Sequence, residues 1–442
     1  MAKGKSPAVD HAQQKVEESS LEAESRNMAG FDEIEKRLPK RWAVSEMGFL
    51  DKFTGHLGGR NPFYKPATPE KNKVLILDNV AYRPVHPYPH DPQPWQAEFV
   101  AAYFYKGRKD LGDVVSNIAD TIGLDGRVGP DEEARARIAE RIQPFINQIA
   151  PAKTVEITIP QTTGAPLKKS LGPSDANGIS SQIELTGGND RVDGTDIEFT
   201  APAFGVTAHT HFAGPEGWGV ISDVDDTIKI TQTTNPVGIL KTTFADEPQT
   251  IAGMSELYKV IHAQFKNPAW FYLSASPYNL YPFLHKFIRD NYQPGALILR
   301  DNSWMFLGGL LQSLTQGTQA YKTDRIEKIH RWLPKRKFIC IGDSTQSDPE
   351  SYAEMYKKHP TGWIRAIYIR KVTDVANMEK KNEKERFDKA FEGVPAHVWR
   401  VFEKPEELAD HLKHLAGEAH MGLVGQFHGY FCKDEQQMKG AR

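Results

Sequence analysis

Apolar and polar positions alternate with a period of two through much of the first half of this chain. After Trp218 the pattern becomes short apolar runs separated by stretches of helical period. Lys73-Val74-Leu75-Ile76-Leu77 and Ala97 to Tyr105 predict strands, with a Pro/His/Tyr-rich loop between them. Val155, Ile157 and Ile159 alternate, as do Ile183 with Leu185 and Ile197 with Phe199, between turns rich in Gly, Pro and Asp. One helix interrupts this text: Ala134, Ile138, Ile142 and Phe145 recur on one side between Asp131 and Asn147, and Pro130 and Asp131 suit its start. The first half therefore reads as a smaller β-rich domain, sandwich-like in character.

Strands are predicted at Gly219 to Ser222, Ala269 to Leu273, Ala296 to Arg300, Lys337 to Gly342, Ile364 to Ile369 and His397 to Phe402. Between or after them lie helical stretches at Ile251 to Phe265, Asn279 to Asp290, Thr323 to Trp332, Asp348 to Lys358 and Pro405 to Leu415. Such alternation predicts an α/β fold, a Rossmann-like, mostly parallel sheet with helices on both faces. The expected organisation is a mobile polar tail over 1–30, a β-rich domain over 31–212, the α/β domain over 213–418 and a second tail over 419–442. Lys229 to Gln249 has no clear period and reads as a short lid.

Composition narrows the function classes. The chain has 442 residues, 39% of them hydrophobic, enough for two or three domains with real cores. Fifty-five basic against 57 acidic residues leave a formal charge of -2, so no nucleic-acid partner is expected. Two cysteines, Cys340 and Cys432, make neither a disulfide framework nor a zinc site, which suits a reducing compartment. No secretory apolar region and no transmembrane segment is found, so the expectation is a soluble, cytoplasmic protein that meets any membrane from its surface. Trp42, Val44, Met47, Phe49, Leu50, Phe53 and Leu57 form an amphipathic face for a bilayer or for the chain's own domain. His86 with His90, and His209 with His211, read as surface or seam histidines rather than metal pairs, and the mixed charges of Asn377 to Lys389 as a solvated face.

The chemistry gathers at strand ends. Gly219-Val220-Ile221-Ser222-Asp223-Val224-Asp225-Asp226-Thr227 delivers Asp223 and Asp225 to one side of a strand mouth. Two close carboxylates need a cation or a shared proton, which suits work on an anionic substrate. The corresponding reaction is phosphoryl transfer to water, with Asp223 as nucleophile and Asp225 as general acid and base. An EF-hand reading fails because Ile228 and Thr234 stand where glycine and glutamate are required. Ser274 or Ser276, Thr227 and Arg300 are candidates for holding the substrate, and Lys322 is the candidate catalytic cation. Gly342-Asp343-Ser344-Thr345-Gln346-Ser347-Asp348 offers carboxylates from a tight turn before a helix, although Asp348 also suits a helix cap. Asp223, Asp225, Asp343 and Asp348 are the candidate ligands of Mg2+.

Taken in order, these motifs resemble those of the haloacid-dehalogenase superfamily of phosphatases over about residues 215 to 370. More narrowly, Ile221-Ser222-Asp223-Val224-Asp225-Asp226-Thr227-Ile228-Lys229, Tyr272-Leu273-Ser274-Ala275-Ser276-Pro277, Leu299-Arg300-Asp301 and the run from Phe338 to Glu350 are similar to the fungal actin-patch-associated phosphatidate phosphatase family. That resemblance implies Mg2+-dependent conversion of phosphatidate to diacylglycerol and phosphate. It also implies a phospholipid substrate met at a membrane surface, cytoskeletal or endocytic partners, and a place at cortical actin patches. A phosphatase of soluble sugars, nucleotides or phosphoproteins, and a non-enzymatic membrane or cytoskeletal adaptor, are the alternatives.

Overall fold

In the first half, alternating apolar side chains make strands that bury one face, and they join into one sheet. The computed structural model describes residues 18–38, 61–85, 93–106, 111–124, 130–301, 307–360 and 362–417. The Trp42-to-Leu57 face, His86, His90, residues 1–17 and the expected tail over 419–442 lie outside the described residues.

Ten strands form the first sheet: β1 (Lys65–Pro66), β2 (Asn72–Ile76), β3 (Asn79–Tyr82), β4 (Gln96–Tyr105), β5 (Gln148–Ile149), β6 (Lys153–Ile159), β7 (Leu167–Leu171), β8 (Ile179–Leu185), β9 (Asp196–Ala201) and β10 (Val206–Ala213). Their main path runs β1-β6-β9-β10-β3-β4-β2, with β5 and β8 also on β4 and β7 on β6. The expected sandwich-like half is thus a single curled sheet. Trp95, Phe99, Phe199 and Phe212 fill its concavity, with Phe99 edge-on to Phe199 at 5.1 Å and Trp95 edge-on to Phe212 at 5.1 Å.

Six parallel strands form the second sheet: β11 (Trp218–Asp223), β12 (Ala269–Pro277), β13 (Ala296–Arg300), β14 (Lys337–Asp343), β15 (Ile364–Arg370) and β16 (Trp399–Phe402). Their order is β13-β12-β11-β14-β15-β16. Neighbouring residues of these strands enter opposite cores, Val220, Ile339 and Ile341 on one face, Ile221, Phe338 and Cys340 on the other. Burial on both faces accounts for the continuous apolar runs in the sequence.

The helices are α1 (Ser20–Met28), α2 (Phe31–Arg37), α3 (Gly112–Thr121), α4 (Pro130–Ile146), α5 (Pro236–Leu240), α6 (Met254–Gln264), α7 (Tyr281–Asn291), α8 (Leu307–Thr315), α9 (Thr318–Trp332), α10 (Asp348–Lys358) and α11 (Lys384–Ala390), followed by a further helix at 409–417. α6, α7 and α8 pack their apolar stripes into the Val220 face, whereas α9 and α10 cover the Ile221 face. Two expectations change here. Residues 20–28, read as part of a mobile tail, form a helix with a capping box in which Ser19 accepts from the Glu22 N–H and Glu22 accepts from the Ser19 N–H. The expected lid after Lys229 is packed rather than exposed, with Ile239, Leu240 and Phe244 fully buried.

The two halves share polar and apolar contacts. Arg336 extends both guanidinium Nη atoms to the Asp193 carboxylate at 3.0 Å each, and His285 Nε2 lies 2.7 Å from Asp78 Oδ2. Phe145 of α4 meets Phe244 edge-on at 5.7 Å. Among the described residues no helix is long and apolar enough to cross a membrane.

Candidate active site

In a parallel sheet all strands end on one edge. A crevice opens on that edge where successive strands depart to opposite sides of the first. β11 is that first strand, with β12 on one flank and β14 on the other. Asp223 ends β11, Asp343 ends β14, and Ser274 and Ser276 lie in the last turns of β12. Asp223, Asp225, Lys322, Asp343 and Asp348 are brought together although up to 125 positions separate them, and none exposes more than 2% of its surface.

Lys322 Nζ lies 2.7 Å from Asp223 Oδ1 and 3.0 Å from Gln346 Oε1, and it also pairs with Asp348 Oδ1. The lysine had been expected just ahead of a helix. α9 starts a turn earlier because Gly317 takes the left-handed conformation, φ 59°, that opens it, so Lys322 points from within the helix. Thr227 Oγ1 stands 3.1 Å from Asp223 Oδ2 and 2.9 Å from Asp343 Oδ2. One hydroxyl proton serves one of these oxygens at a time, so the two carboxylates are held close without full compensation.

Asp225 has different partners. Ser274 Oγ donates to its Oδ2 at 2.6 Å and Thr231 Oγ1 to its Oδ1 at 2.9 Å. Ser276 contributes its backbone N–H, which donates to Ser274 Oγ at 3.0 Å. Asp226, at φ +63°, turns its carboxylate into the loop and accepts from the N–H groups of Thr231, Gln232 and Thr233 at 2.7–2.9 Å. Thr233 Oγ1 then reaches Thr345 Oγ1 at 2.8 Å, which ties the β11 loop to the β14 loop.

Burial pushes the Asp223 carboxyl well above the ordinary range, and the carboxylates of Asp348, Asp343 and Asp225 reinforce this against the opposing pull of Lys322. Burial, then Asp348, pushes Asp343 up to about 6. Burial opposes the charge on Lys322, yet Asp223, Asp348 and Asp343 hold it above the usual lysine range. The lysine is a permanent cation here, and one ammonium does not neutralise the surrounding carboxylates.

Asp223, Asp343 and Asp348 each bring an oxygen within 4.8 Å of the others. Buried hard oxygen donors in excess over positive charge fit Mg2+ and suit soft metals poorly. A methyl group on Gly342 would lie 2.6 Å from the Asp348 Cβ and Cγ, so glycine is what lets that carboxylate sit against the end of β14. The Asp343 N–H donates to Asp348 Oδ2 at 3.0 Å, and Asp348 therefore faces the cluster rather than capping α10. The Asp225 side chain, expected among the metal ligands, is not in this group; Ser274 and Thr231 donate to its two oxygens.

Arg300 is also placed elsewhere. Its Nη2 donates to the carbonyls of Gln316 and Gly317 at 2.8 and 3.1 Å, and its guanidinium lies over the Tyr321 ring. It braces the turn that starts α9. Three further side chains carry the site without having been singled out from the sequence: Gln346, Lys381 and Glu22. Lys381 is buried and reaches the Thr345 carbonyl, and burial pushes its ammonium down to about 8. Glu22 comes from α1, about 300 positions away. It accepts from Thr318 N at 3.0 Å, Thr318 Oγ1 at 2.7 Å and Gly317 N at 3.2 Å, a carboxylate on the N-terminus of the helix that carries Lys322. With Ser25, Thr233, Thr345, Gln346 and Lys381 it walls a small cavity over the strand ends.

The family model described as phosphatidate phosphatase APP1, catalytic domain, matches residues 218–371, the stretch from the start of β11 to just past β15. The phosphatidate phosphatase APP1 of Saccharomyces cerevisiae is 29% identical over 294 residues, which are 62% of this chain and 48% of that protein. An uncharacterised protein of Schizosaccharomyces pombe is 33% identical over 171 residues, 37% of this chain and 27% of its own. The chain thus spans about half the length of the first of these relatives and about a quarter of the second. The four ordered motifs, the strand order and the match agree: residues 218–371 are similar to the catalytic domain of phosphatidate phosphatase APP1.

Proposed function

We propose that this chain is a Mg2+-dependent phosphatidate phosphatase that yields diacylglycerol and phosphate through an aspartyl-phosphate on Asp223. The observation that carries the reading is the buried group of Asp223, Lys322, Asp343 and Asp348 inside the stretch similar to APP1 catalytic domains. Asp223, Asp343 and Asp348 would hold the cation, which when bound neutralises the meeting of an anionic nucleophile with an anionic substrate.

An Asp223 oxygen attacks phosphorus as the bond to the glycerol oxygen breaks. Asp225 gives its proton to that leaving oxygen. Ser274 and Thr231 fix the Asp225 carboxyl in place, and Lys322 keeps Asp223 oriented and offsets charge on the phosphoryl group. Water then attacks the phosphorus, Asp225 takes a proton from it, and cleavage of the P–O bond to Asp223 frees phosphate. Thr227 and Ser276 complete the phosphate cradle, with Arg300 acting at one remove through the turn before α9.

The lipid substrate is reached by association with a membrane surface rather than through a span, and the endocytic or cytoskeletal partners of the family resemblance belong to the same reading. Cosedimentation with vesicles containing phosphatidate tests the surface step. Phosphate release from phosphatidate, set beside a panel of soluble phosphomonoesters, tests the substrate; activity confined to the soluble panel contradicts the proposal.

A further inference from the structure

Outside the candidate active site, a second group of metal-ligating side chains lies where the far ends of α9 and α10 meet. Glu327 and His330 are three positions apart on α9 and so share a helix face, and His359 ends α10 against them. One donor atom from each lies within 4.8 Å of the others. The two imidazoles stack with centroids 3.6 Å apart and planes 23° from parallel, and both rings meet Trp363 at a steep angle. The His359 side chain exposes only 6% of its surface.

His330 Nε2 and His359 Nε2 are buried without an aligned hydrogen-bond partner. Glu327 Oε2 is 3.1 Å from His359 Nε2 and 2.9 Å from Lys358 Nζ, an ion-pair contact on each side. Buried polar atoms left in this way are uncommon, and one explanation is a missing ion.

We propose that Glu327, His330 and His359 form a site for a borderline transition-metal cation, Zn2+ in the first instance. Two imidazole nitrogens and one carboxylate oxygen suit Zn2+ and give Mg2+ little; binding turns the two rings out of their stack so that both Nε2 lone pairs meet at the ion, and a water completes four ligands. The ion would be structural. α9 carries Lys322 and α10 opens with Asp348, so a clamp at their far ends holds in register the two helices whose near ends meet in the carboxylate–ammonium group. Lys358 neutralises Glu327 when no ion is there, and binding displaces it.

The test titrates Zn2+ calorimetrically into the full chain in a large excess of Mg2+, which occupies the aspartate cluster. The expected result is one saturable equivalent. His330→Gln and His359→Gln each weaken it about 100-fold, the scale of loss when metal-site partners are removed; Lys358→Ala does not weaken it, and Asp343→Asn leaves it unchanged. Co2+ in place of Zn2+ should give the visible absorption of a four-coordinate ion, a readout on the parent chain that needs no variant to fold. Absence of a Zn2+ equivalent under excess Mg2+, absence of those bands, or Zn2+ binding that survives His330→Gln but is lost in Asp343→Asn overturns the proposal.

Discussion

Lys322 stands between Asp223 and Asp348 with no exposed surface, and the charge balance of the site turns on its ammonium. Asp343 has a folded pKa raised to about 6, against about 4 for an unfolded chain. A group raised in this way contributes stability that is fully present below about pH 4 and is lost as pH rises through about 6. The metal-free protein is therefore expected to lose thermal stability across that interval on Asp343's account, while Mg2+, which needs the ionised form, stabilises it above about pH 6 and not at pH 4. Melting curves with and without Mg2+ check this, and a larger Mg2+ effect at pH 4 than at pH 7 contradicts it. Asp225→Asn should lower turnover about 10²- to 10⁴-fold, the range for losing a general acid, with the melting temperature nearly kept. Unchanged turnover removes Asp225 from that role. Gly342→Ala forces a methyl into the space of the Asp348 Cβ, and crowding of this kind costs about 1–3 kcal/mol. Denaturant unfolding should register that loss, together with weaker Mg2+ stabilisation.

At the scale of elements, α1 is the piece that polar composition concealed. Glu22 and Arg26 are charged yet nearly buried, so the segment has no apolar stripe of the usual kind and reads as tail. Its tie to Gly317 and Thr318 is nearly 300 residues long-range, which no local pattern contains. With the catalytic candidates almost without exposure, substrate access needs an element to move, and α1 lies over the strand ends. Hydrogen bonds to a charged group are worth roughly 1.5 kcal/mol or more, about a tenfold shift in the ratio of closed to open forms. Glu22→Ala is therefore predicted to speed amide exchange at Gly317 and Thr318 about tenfold and to raise turnover of the proposed lipid substrate. Equal exchange would show that Glu22 latches nothing. The charged stretch after Asn377 misled in the same way: Lys381 and Arg386 turn inward, Arg386 to the carbonyls of Ser344 and Gln346 and to Glu350.

Over the whole molecule, legibility followed the range of the interactions. The second sheet was readable because strands buried on both faces must be continuous apolar runs, and because parallel order sends their ends to one edge, where Asp223, Ser274 and Asp343 are found. The first sheet was readable strand by strand but not as a single curled surface, since β4 pairs with β2, β3, β5 and β8 from positions scattered over more than 100 residues. Arg300 shows the limit at a strand end: the right position in sequence, but a guanidinium turned to backbone carbonyls. Asp223 is the proposed nucleophile of a Mg2+-dependent lipid phosphatase. Phosphate release from phosphatidate in detergent micelles, with Mg2+ or chelator, for the parent chain and for Asp223→Asn, tests it most directly. The prediction is release that requires Mg2+ and disappears in the variant; release that persists in Asp223→Asn, or none from phosphatidate beside turnover of a soluble phosphomonoester, contradicts it.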